Sequence, residues 1–207
     1  MKKILKRIVL CACLAAGVWT WGLLRDRQTL NEQLLRLHVV AASDSEADQS
    51  IKLQVRDAVI ASISEDLAEI GDFEQAELYI RENLPKIEKI ANDALKALGC
   101  EDTAVVTLRE EVFDTRIYDT FSLPAGVYEA LRITIGEGRG KNWWCVVFPT
   151  LCVPATTQGF EDVAVEAGFS ETLTDTLEGE YEIRFYFLDL LGKLEGILWN
   201  RENAPVN

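Results

Sequence analysis

Histidine is the scarcest residue with catalytic potential in this chain, because His38 is the only one among 207 residues. A single imidazole cannot form the paired-histidine zinc site of the H-E-x-x-H kind. Glycine, proline and serine are not concentrated into low-complexity stretches, so most of the chain is expected to fold. This length is enough for one globular domain with a real core, whereas two full domains would be difficult to accommodate.

Other catalytic and ligand-binding signatures are incomplete as well. Residues 44–48 resemble the start of a calcium loop, but Gln49 replaces the required glycine and Val55 replaces the final glutamate. The glycines of residues 136–141 lack the first Walker glycine, and Asn142 stands where a phosphate loop needs Ser or Thr. No G-x-S-x-G elbow is present. We therefore predict no enzyme activity, no metal and no cofactor.

Basic residues are few, since 21 Lys and Arg against 34 Asp and Glu give a net charge of −13. The first 27 residues contain six of the basic residues and one acid, so the remainder is still more acidic. Such a domain repels nucleic acid and anionic lipid headgroups. We expect its partner to be a protein surface and exclude nucleic acid.

A long uncharged run lies near the N-terminus. Ile8–Leu24 carries no charge and stands between basic residues, which is typical of a membrane-targeting segment. Its length, about 25 Å as a helix, fits a cleavable signal peptide and a signal anchor. Small residues such as Ala15 favour cleavage, whereas Trp19 and Trp21 favour the anchor, which we prefer. The assigned segments are a signal peptide or anchor at 1–27, a short stalk at 28–35, a single extracytoplasmic domain at 36–199 and a frayed tail at 200–207.

Hydrophobic periodicity divides the domain into a helical first half and a strand-rich second half. The predicted elements are a strand at 35–42, a helix from Ser45 to Gly71, a helix at 73–82 capped by Asp72, a third helix that Pro85 starts or kinks and that stops at Gly99, strands at 104–109, 127–135 and 144–148, a loop at 155–178 and a strand at 181–188. These elements indicate an α+β domain, in which helices pack on one face of a mainly antiparallel sheet behind the N-terminal membrane-targeting helix.

Three of the five cysteines lie outside the targeting segment. Cys145 and Cys152 are the natural disulfide pair in an oxidising compartment, since Pro149 can turn the chain between them. The alternative is that both are small apolar core residues. Cys100 is expected to be a buried free thiol.

Trp143 and Trp144 are adjacent in a predicted strand, so their side chains point to opposite faces of the sheet. If one indole lies in the core, the other is exposed or covered by a loop. An exposed tryptophan beside the glycine-rich turn at 136–142 is a candidate binding anchor. The alternative is that both cap the edge of the core. Residues 43–45 are likewise either a plain helix cap or a contact site.

Two sequence blocks resemble the signature blocks of the stage II sporulation protein R family. The first comprises VVAASDS at residues 39–45, Asp48-Gln49 and KLQVRD at residues 52–57, and the second is LPAGVYEALRITIGEGRGKNWWCVVFPTLC at residues 123–152. Weaker similarity extends through residues 82–88 and 181–188. Residues 113–118 depart from the expected Phe-Pro-x-Lys-x-Tyr, because Asp114 replaces the proline while Arg116 keeps the charge.

The resemblance implies an intercellular signalling protein, made in the forespore and exported into the space between the two membranes that surround it. There it would activate a membrane-embedded aspartic protease of the mother cell, which cleaves the precursor of a sporulation sigma factor. Such a ligand needs a docking surface and no catalytic group. The expected surface residues are Ser43, Asp44, Asp48, Gly138, Gly140, Asn142, Trp143, Trp144, Phe148 and Pro149.

Two other functions are compatible with the sequence. An exported hydrolase acting on the cell wall would use Asp44, Asp48, Glu137 or Cys145, and His38 would be the base for the thiol. An extracytoplasmic structural module would only bridge membranes. A pocket in which two carboxylates, or the thiol and the imidazole, converge would favour the hydrolase.

Overall fold

The computed structural model describes residues 2–118, 120–149, 160–166, 168–179 and 182–203. The helices are α1 (Lys2–Gln33), α2 (Glu46–Ala68), α3 (Phe73–Ala97), α4 (Phe160–Glu166), α5 (Glu171–Glu178) and α6 (Glu182–Glu202). The strands are β1 (Leu35–Val40), β2 (Ala104–Phe113), β3 (Arg116–Ile117), β4 (Ser122–Leu123), β5 (Gly126–Ile135) and β6 (Asn142–Phe148).

Four strands form the main sheet in the order β2-β5-β1-β6. β1 is parallel to β5 and antiparallel to β6, and β2 is antiparallel to β5. β3 and β4 form a separate two-stranded ribbon. The α+β class and the mainly antiparallel sheet are therefore confirmed. Since β1 lies between β5 and β6, the glycine-rich connection of these two strands passes the end of β1.

Alternating strand residues build a core on each face of the sheet. On one face, Leu37, Val39 and Ile133 belong to a core shared with α2 and α3. On the other face, Tyr128 and Val146 belong to a core shared with α1, α4, α5 and α6. Helices thus cover both faces, whereas the sequence predicted a single helical layer. β1 is buried along its whole length because it is central in the sheet and covered on both sides.

The two predicted helix caps are confirmed. The Ser45 hydroxyl accepts a hydrogen bond from the Asp48 amide at 3.1 Å and begins α2. The Asp72 carboxylate accepts one from the Gln75 amide at 2.9 Å and begins α3. Each cap satisfies a backbone donor that the first turn of a helix leaves unpaired.

Of the two alternatives for Pro85, the start of a new helix is wrong, because α3 continues through this residue. Ile80 and Ile87, on either side of the proline, are both buried in the core between α3 and the sheet. The burial of these two residues therefore keeps α3 continuous, although Pro85 has no backbone N–H to donate within the helix.

The strand predicted at residues 181–188 is wrong over its described part, which is the first third of α6. Phe185, Leu188 and Leu191 recur at helical spacing and pack on the second core. This packing outweighs the strand propensity of the branched and aromatic residues. Helices α4 and α5 replace the described part of the predicted loop at 155–178, and α6 extends through Glu202 into the segment predicted as a tail.

Helix α1 is continuous across the predicted boundary at residue 27. An 18-residue window of this helix has a mean hydropathy of 1.7 and is 6% buried, so α1 is long and apolar enough to cross a membrane, as a signal sequence also would be. Its last turns instead pack on the domain, with Leu23, Asp26, Arg27 and Leu30 buried. One end of α1 is therefore exposed and apolar, and the other is part of the folded core.

A candidate interaction surface where two motifs meet

The two sequence blocks meet at the C-terminal end of β1. The Asp44 carboxylate accepts a hydrogen bond from the Lys141 amide at 2.7 Å. The Gly140 amide donates to the Ala41 carbonyl at 2.9 Å. Residues far apart in the sequence therefore form one continuous surface, which comprises residues 42–49 and 138–143.

Polar side chains of the first block fix the start of α2. The Ser43 hydroxyl donates to Asp48 and accepts from the Ser45 amide at 3.1 Å. The side-chain amide of Gln49 donates to the Ser43 carbonyl at 2.9 Å. Asp44 and Asp48 also place negative charge at the N-terminus of α2, where the helix dipole favours it. Helix capping and the candidate contact site thus use the same residues.

Lys52 joins α2 to the glycine-rich connection, although the sequence did not single it out. Its side chain is buried, and its Nζ donates to the Lys141 carbonyl at 3.0 Å and to Gln49 Oε1 at 2.6 Å. Burial, together with the nearby charge of Arg56, lowers the pKa of Lys52. The sequence does contain a sign of this role. Lys52 lies three residues before Val55, and at this helical spacing both residues are on the buried face of α2.

Two glycines shape the connection between β5 and β6. Gly138 has a φ of +62°, which a residue with a side chain rarely adopts. A Cβ at Gly140 would lie 2.1 Å from the Ser43 carbonyl oxygen. Only glycine therefore allows the second block to approach the backbone of the first at residue 140.

The paired tryptophans point to opposite faces of β6, as predicted. Trp143 is 39% exposed, and the Arg56 guanidinium lies 4.3 Å from the centroid of its ring. Trp144 is half-buried, because it stacks on His38 with ring centroids 5.5 Å apart and the Arg116 guanidinium lies 3.5 Å from the centroid of its ring. Trp143 is consequently the indole available on the surface beside the exposed Asn142.

The end of β6 is less accessible than its beginning. Phe148, Pro149 and Cys145 are buried, and Phe148 pairs with Leu35 at the far end of β1, so Phe148 and Pro149 are not part of the candidate interaction surface. Cys152 lies outside the described residues, and its pairing with Cys145 stays a prediction. The free cysteines in the described part of the chain are Cys11, Cys13 and Cys100. Cys100 is half-buried, not buried as predicted.

The thiol and the imidazole of the alternative hydrolase do not meet. Cys145 pairs with Leu37 and His38 pairs with Trp144 across β1 and β6, which places the two side chains on opposite faces. Glu137 forms an exposed ion pair with Arg139 at 3.0 Å. Within the described ranges, no three His, Cys, Asp or Glu residues are grouped so that they could hold a metal ion.

His38 instead belongs to a buried polar cluster that crosses three strands. Its Nδ1 lies 2.5 Å from Glu111, which also accepts hydrogen bonds from Arg132 at 3.0 Å and Arg109 at 2.8 Å. Burial by itself would raise the pKa of Glu111, but the hydrogen bonds from His38 and Arg109 and the charge of Arg132 lower it to about 2. The cluster is a structural ionic network beneath Trp144.

A Glu111→Gln variant is expected to lose about 3 kcal/mol of unfolding free energy at neutral pH, because it leaves the buried His38 and the partly buried Arg132 without their carboxylate partner. The folded-state pKa of Glu111 is about 2, below the ordinary 4.5, so its ionisation stabilises the fold above pH 4.5 and this contribution is lost as the pH falls toward 2. Urea unfolding of both proteins across this window measures the difference.

A Glu137→Gln variant is the matched control, since its ion pair is exposed and should change stability by less than about 0.5 kcal/mol. An equal cost of Glu111→Gln at pH 7 and at pH 2 would contradict the role assigned to this carboxylate.

These features define a class of protein: an α+β domain carried by an N-terminal apolar helix, with a surface assembled from two motif blocks. Residues 31–158 match the family described as Stage II sporulation protein R, and the chain belongs to that family. It is 41% identical over 121 residues to the protein named Stage II sporulation protein R of Bacillus subtilis (strain 168), which is 58% of this chain and 54% of that relative. The chain thus aligns with about half of the relative's length. No solved structure matches the chain.

Proposed function

We propose that this protein is an exported intercellular signal of sporulation, which activates a membrane-embedded aspartic protease that processes the precursor of a sigma factor. Membership of the stage II sporulation protein R family supports a role in sporulation. The observation that carries the finer proposal is the joining of both motif blocks, through Asp44, Lys141 and Gly140, into one exposed surface with Trp143 at its edge.

The apolar helix α1 supports a location at the outer face of the cytoplasmic membrane. Its exposed segment carries basic residues before Ile8, and such residues favour retention of that end in the cytoplasm. The domain would then be extracytoplasmic, exported from the forespore into the intermembrane space. Both retention of α1 as an anchor and its cleavage are compatible with this location.

Activation requires that the domain bind one conformation of the protease better than the other. The proposed contact surface combines the start of α2 with the beginning of β6. Trp143 can be buried by a partner without unfolding the domain, because its ring already lies at the surface against Arg56. Tryptophan and arginine are enriched among residues that dominate binding energy. We propose that this pair is the main anchor of the interface, at the edge of the candidate interaction surface.

We also propose that Cys145 and Cys152 form a disulfide once the chain is exported. Cys145 is buried at the middle of β6, and Phe148 and Pro149 follow at the end of that strand. A disulfide at Cys145 would restrain the chain that follows β6, the strand that begins at the candidate interaction surface. Mass spectrometry of the exported protein without reduction would detect the linked peptides.

A Trp143→Ala variant is expected to reduce protease activation by about 10-fold or more, the usual consequence of removing an interface anchor. The assay is an immunoblot of the sigma-factor precursor in sporulating cells that lack the native copy and produce the full-length variant. A second immunoblot, for the variant itself, verifies that it is made and exported.

Val105→Ala is the matched control, because Val105 is an exposed apolar residue on the opposite edge strand and its loss should leave processing unchanged. Full processing with Trp143→Ala would exclude this surface. Normal processing in cells without any copy of the protein would exclude activation altogether and favour a structural role.

A further inference from the structure

Helix α6 exposes a long apolar stripe in addition to the face that it buries. The stripe residues are between 37% and 73% exposed and recur at intervals of three or four along the helix: Ile183, Tyr186, Phe187, Leu190, Leu194, Ile197 and Leu198. A solvent-facing helix normally presents charged and polar residues on this side. Contiguous exposed apolar surface of this kind marks a contact with a membrane or another protein.

The first turns of α6 are fixed beside the apolar end of α1. The rings of Trp19 and Phe187 are in edge-to-face contact, with centroids 5.0 Å apart. Arg184 Nε donates to Asp26 at 2.9 Å, and both side chains of this ion pair are largely buried. The start of the stripe therefore lies alongside α1 at residues 19–26.

This position determines the depth of the stripe if α1 occupies a bilayer. The uncharged segment ends at Leu24, so Arg25 is the first charged residue on the outer side. Trp19 precedes Arg25 by about 9 Å along a helix axis. A side chain in contact with Trp19 would then lie deeper in the bilayer than Arg25. Its depth would fall within the range of about 5–10 Å that interfacial helices reach.

The chemistry of this region suits a lipid interface. Tyr186, Phe187 and Trp19 form an aromatic group, as is common where membrane proteins cross the headgroup layer. Arg184 is paired with Asp26, so the charge of this side chain is neutralised where α6 meets α1. Because the domain is acidic, contact with lipid has to depend on the apolar side chains and not on anionic headgroups.

We propose that Ile183, Tyr186, Phe187 and Leu190 lie in the interfacial layer of the same bilayer that holds α1. This inference rests on the membrane location of α1 proposed above and goes beyond it, since it gives the domain a second membrane contact and a fixed orientation. The candidate interaction surface lies at the end of β1 remote from α1, about 17 Å along the strand. The second membrane contact would thus hold the candidate interaction surface at a constant position relative to the bilayer.

Site-directed spin labelling of the full-length chain in phosphatidylcholine nanodiscs tests the proposal. Cys11, Cys13 and Cys100 are replaced by serine, and single labels are attached in Tyr186→Cys, Val18→Cys and Ile117→Cys variants. Collision rates with oxygen and with a water-soluble nickel chelate give the depth of each label. The chain without an added cysteine gives the background.

The oxygen-to-nickel ratio at residue 186 is expected to lie well above that at residue 117 and below that at residue 18. A ratio at 186 equal to that at 117, with a high ratio at 18, would overturn the second contact while leaving the anchor intact. A low ratio at 18 would refute the anchor and the second contact together. Dipolar broadening between labels at 186 would mean that a second copy of the chain covers the stripe, which also overturns the proposal.

Discussion

A Gly140→Ala variant is expected to lose about 3 kcal/mol of unfolding free energy and to fail in protease activation, because it forces the two motif blocks apart. The added Cβ would lie 2.1 Å from the oxygen and 2.5 Å from the carbon of the Ser43 carbonyl. These are backbone atoms at the start of α2, so no rotation of a side chain relieves the overlap. The hydrogen bonds from Gly140 to Ala41 and from Lys141 to Asp44 should weaken together.

Gly71→Ala is the matched control for this substitution. Nothing lies within 4 Å of a Cβ at Gly71, so alanine there should leave stability unchanged or slightly increased. Urea unfolding of the full-length chains in detergent measures stability, and the immunoblot of the sigma-factor precursor measures activation. A Gly140→Ala protein as stable and as active as Gly71→Ala would show that the close approach of the two blocks is not needed.

An Arg27→Ala variant should lose about 3 kcal/mol of unfolding free energy, because it removes a buried guanidinium that pairs with the partly exposed Glu195 and the buried Tyr128 hydroxyl. Arg27 Nε donates to Glu195 at 3.1 Å, and Arg27 Nη1 donates to the Tyr128 hydroxyl at 3.1 Å. Burial works against the charge, but Tyr128 and Glu195 together raise the pKa of Arg27. Removal of the guanidinium leaves Glu195 with Asn31 as its remaining partner among the described residues.

Arg25→Ala removes the same type of side chain two residues earlier, at an exposed position, and should change stability by less than about 0.5 kcal/mol. Thermal unfolding followed by circular dichroism compares the two variants. Equal melting temperatures for Arg27→Ala and Arg25→Ala would contradict the docking of α1 on the domain.

The strands of the sheet were largely predictable, because their apolar runs are bounded by turn residues. Residues 127–135 are the best example, since the observed β5 differs from the prediction by one residue at its start. The caps at Ser45 and Asp72 were equally predictable, because each depends on local hydrogen bonds. Local sequence patterns therefore identified the strands and caps that are marked by their own residues, although the strands are stabilised by distant pairing.

Features whose type is decided by contacts with distant parts of the chain were not predictable from local patterns. The segment at residues 182–188 is rich in aromatic and branched residues, yet it is a helix because Phe185 and Leu188 pack on a core supplied by other parts of the chain. The charged residues Asp26 and Arg27 mark the end of the apolar run in the sequence. Their burial against Arg184 and Glu195 involves partners more than 150 residues away, for which the sequence contains no local signal.

The candidate interaction surface shows both cases. The resemblance to the family identified its two blocks, and strand alternation correctly placed Trp143 and Trp144 on opposite faces. Neither consideration indicated which indole is exposed, because that depends on the contact of Trp144 with His38. Lys52 was missed, since its role depends on the Lys141 carbonyl, which the fold brings to α2 from the second block.

Reconstitution with purified components is the most direct test of the proposed function. The membrane-embedded aspartic protease and the sigma-factor precursor are placed in proteoliposomes, the full-length chain is inserted in the same or in apposed vesicles, and cleaved precursor is quantified with time. We expect cleavage to require the chain, to saturate with its amount and to fall about 10-fold or more with Trp143→Ala. Cleavage at the same rate with and without the chain would contradict the account.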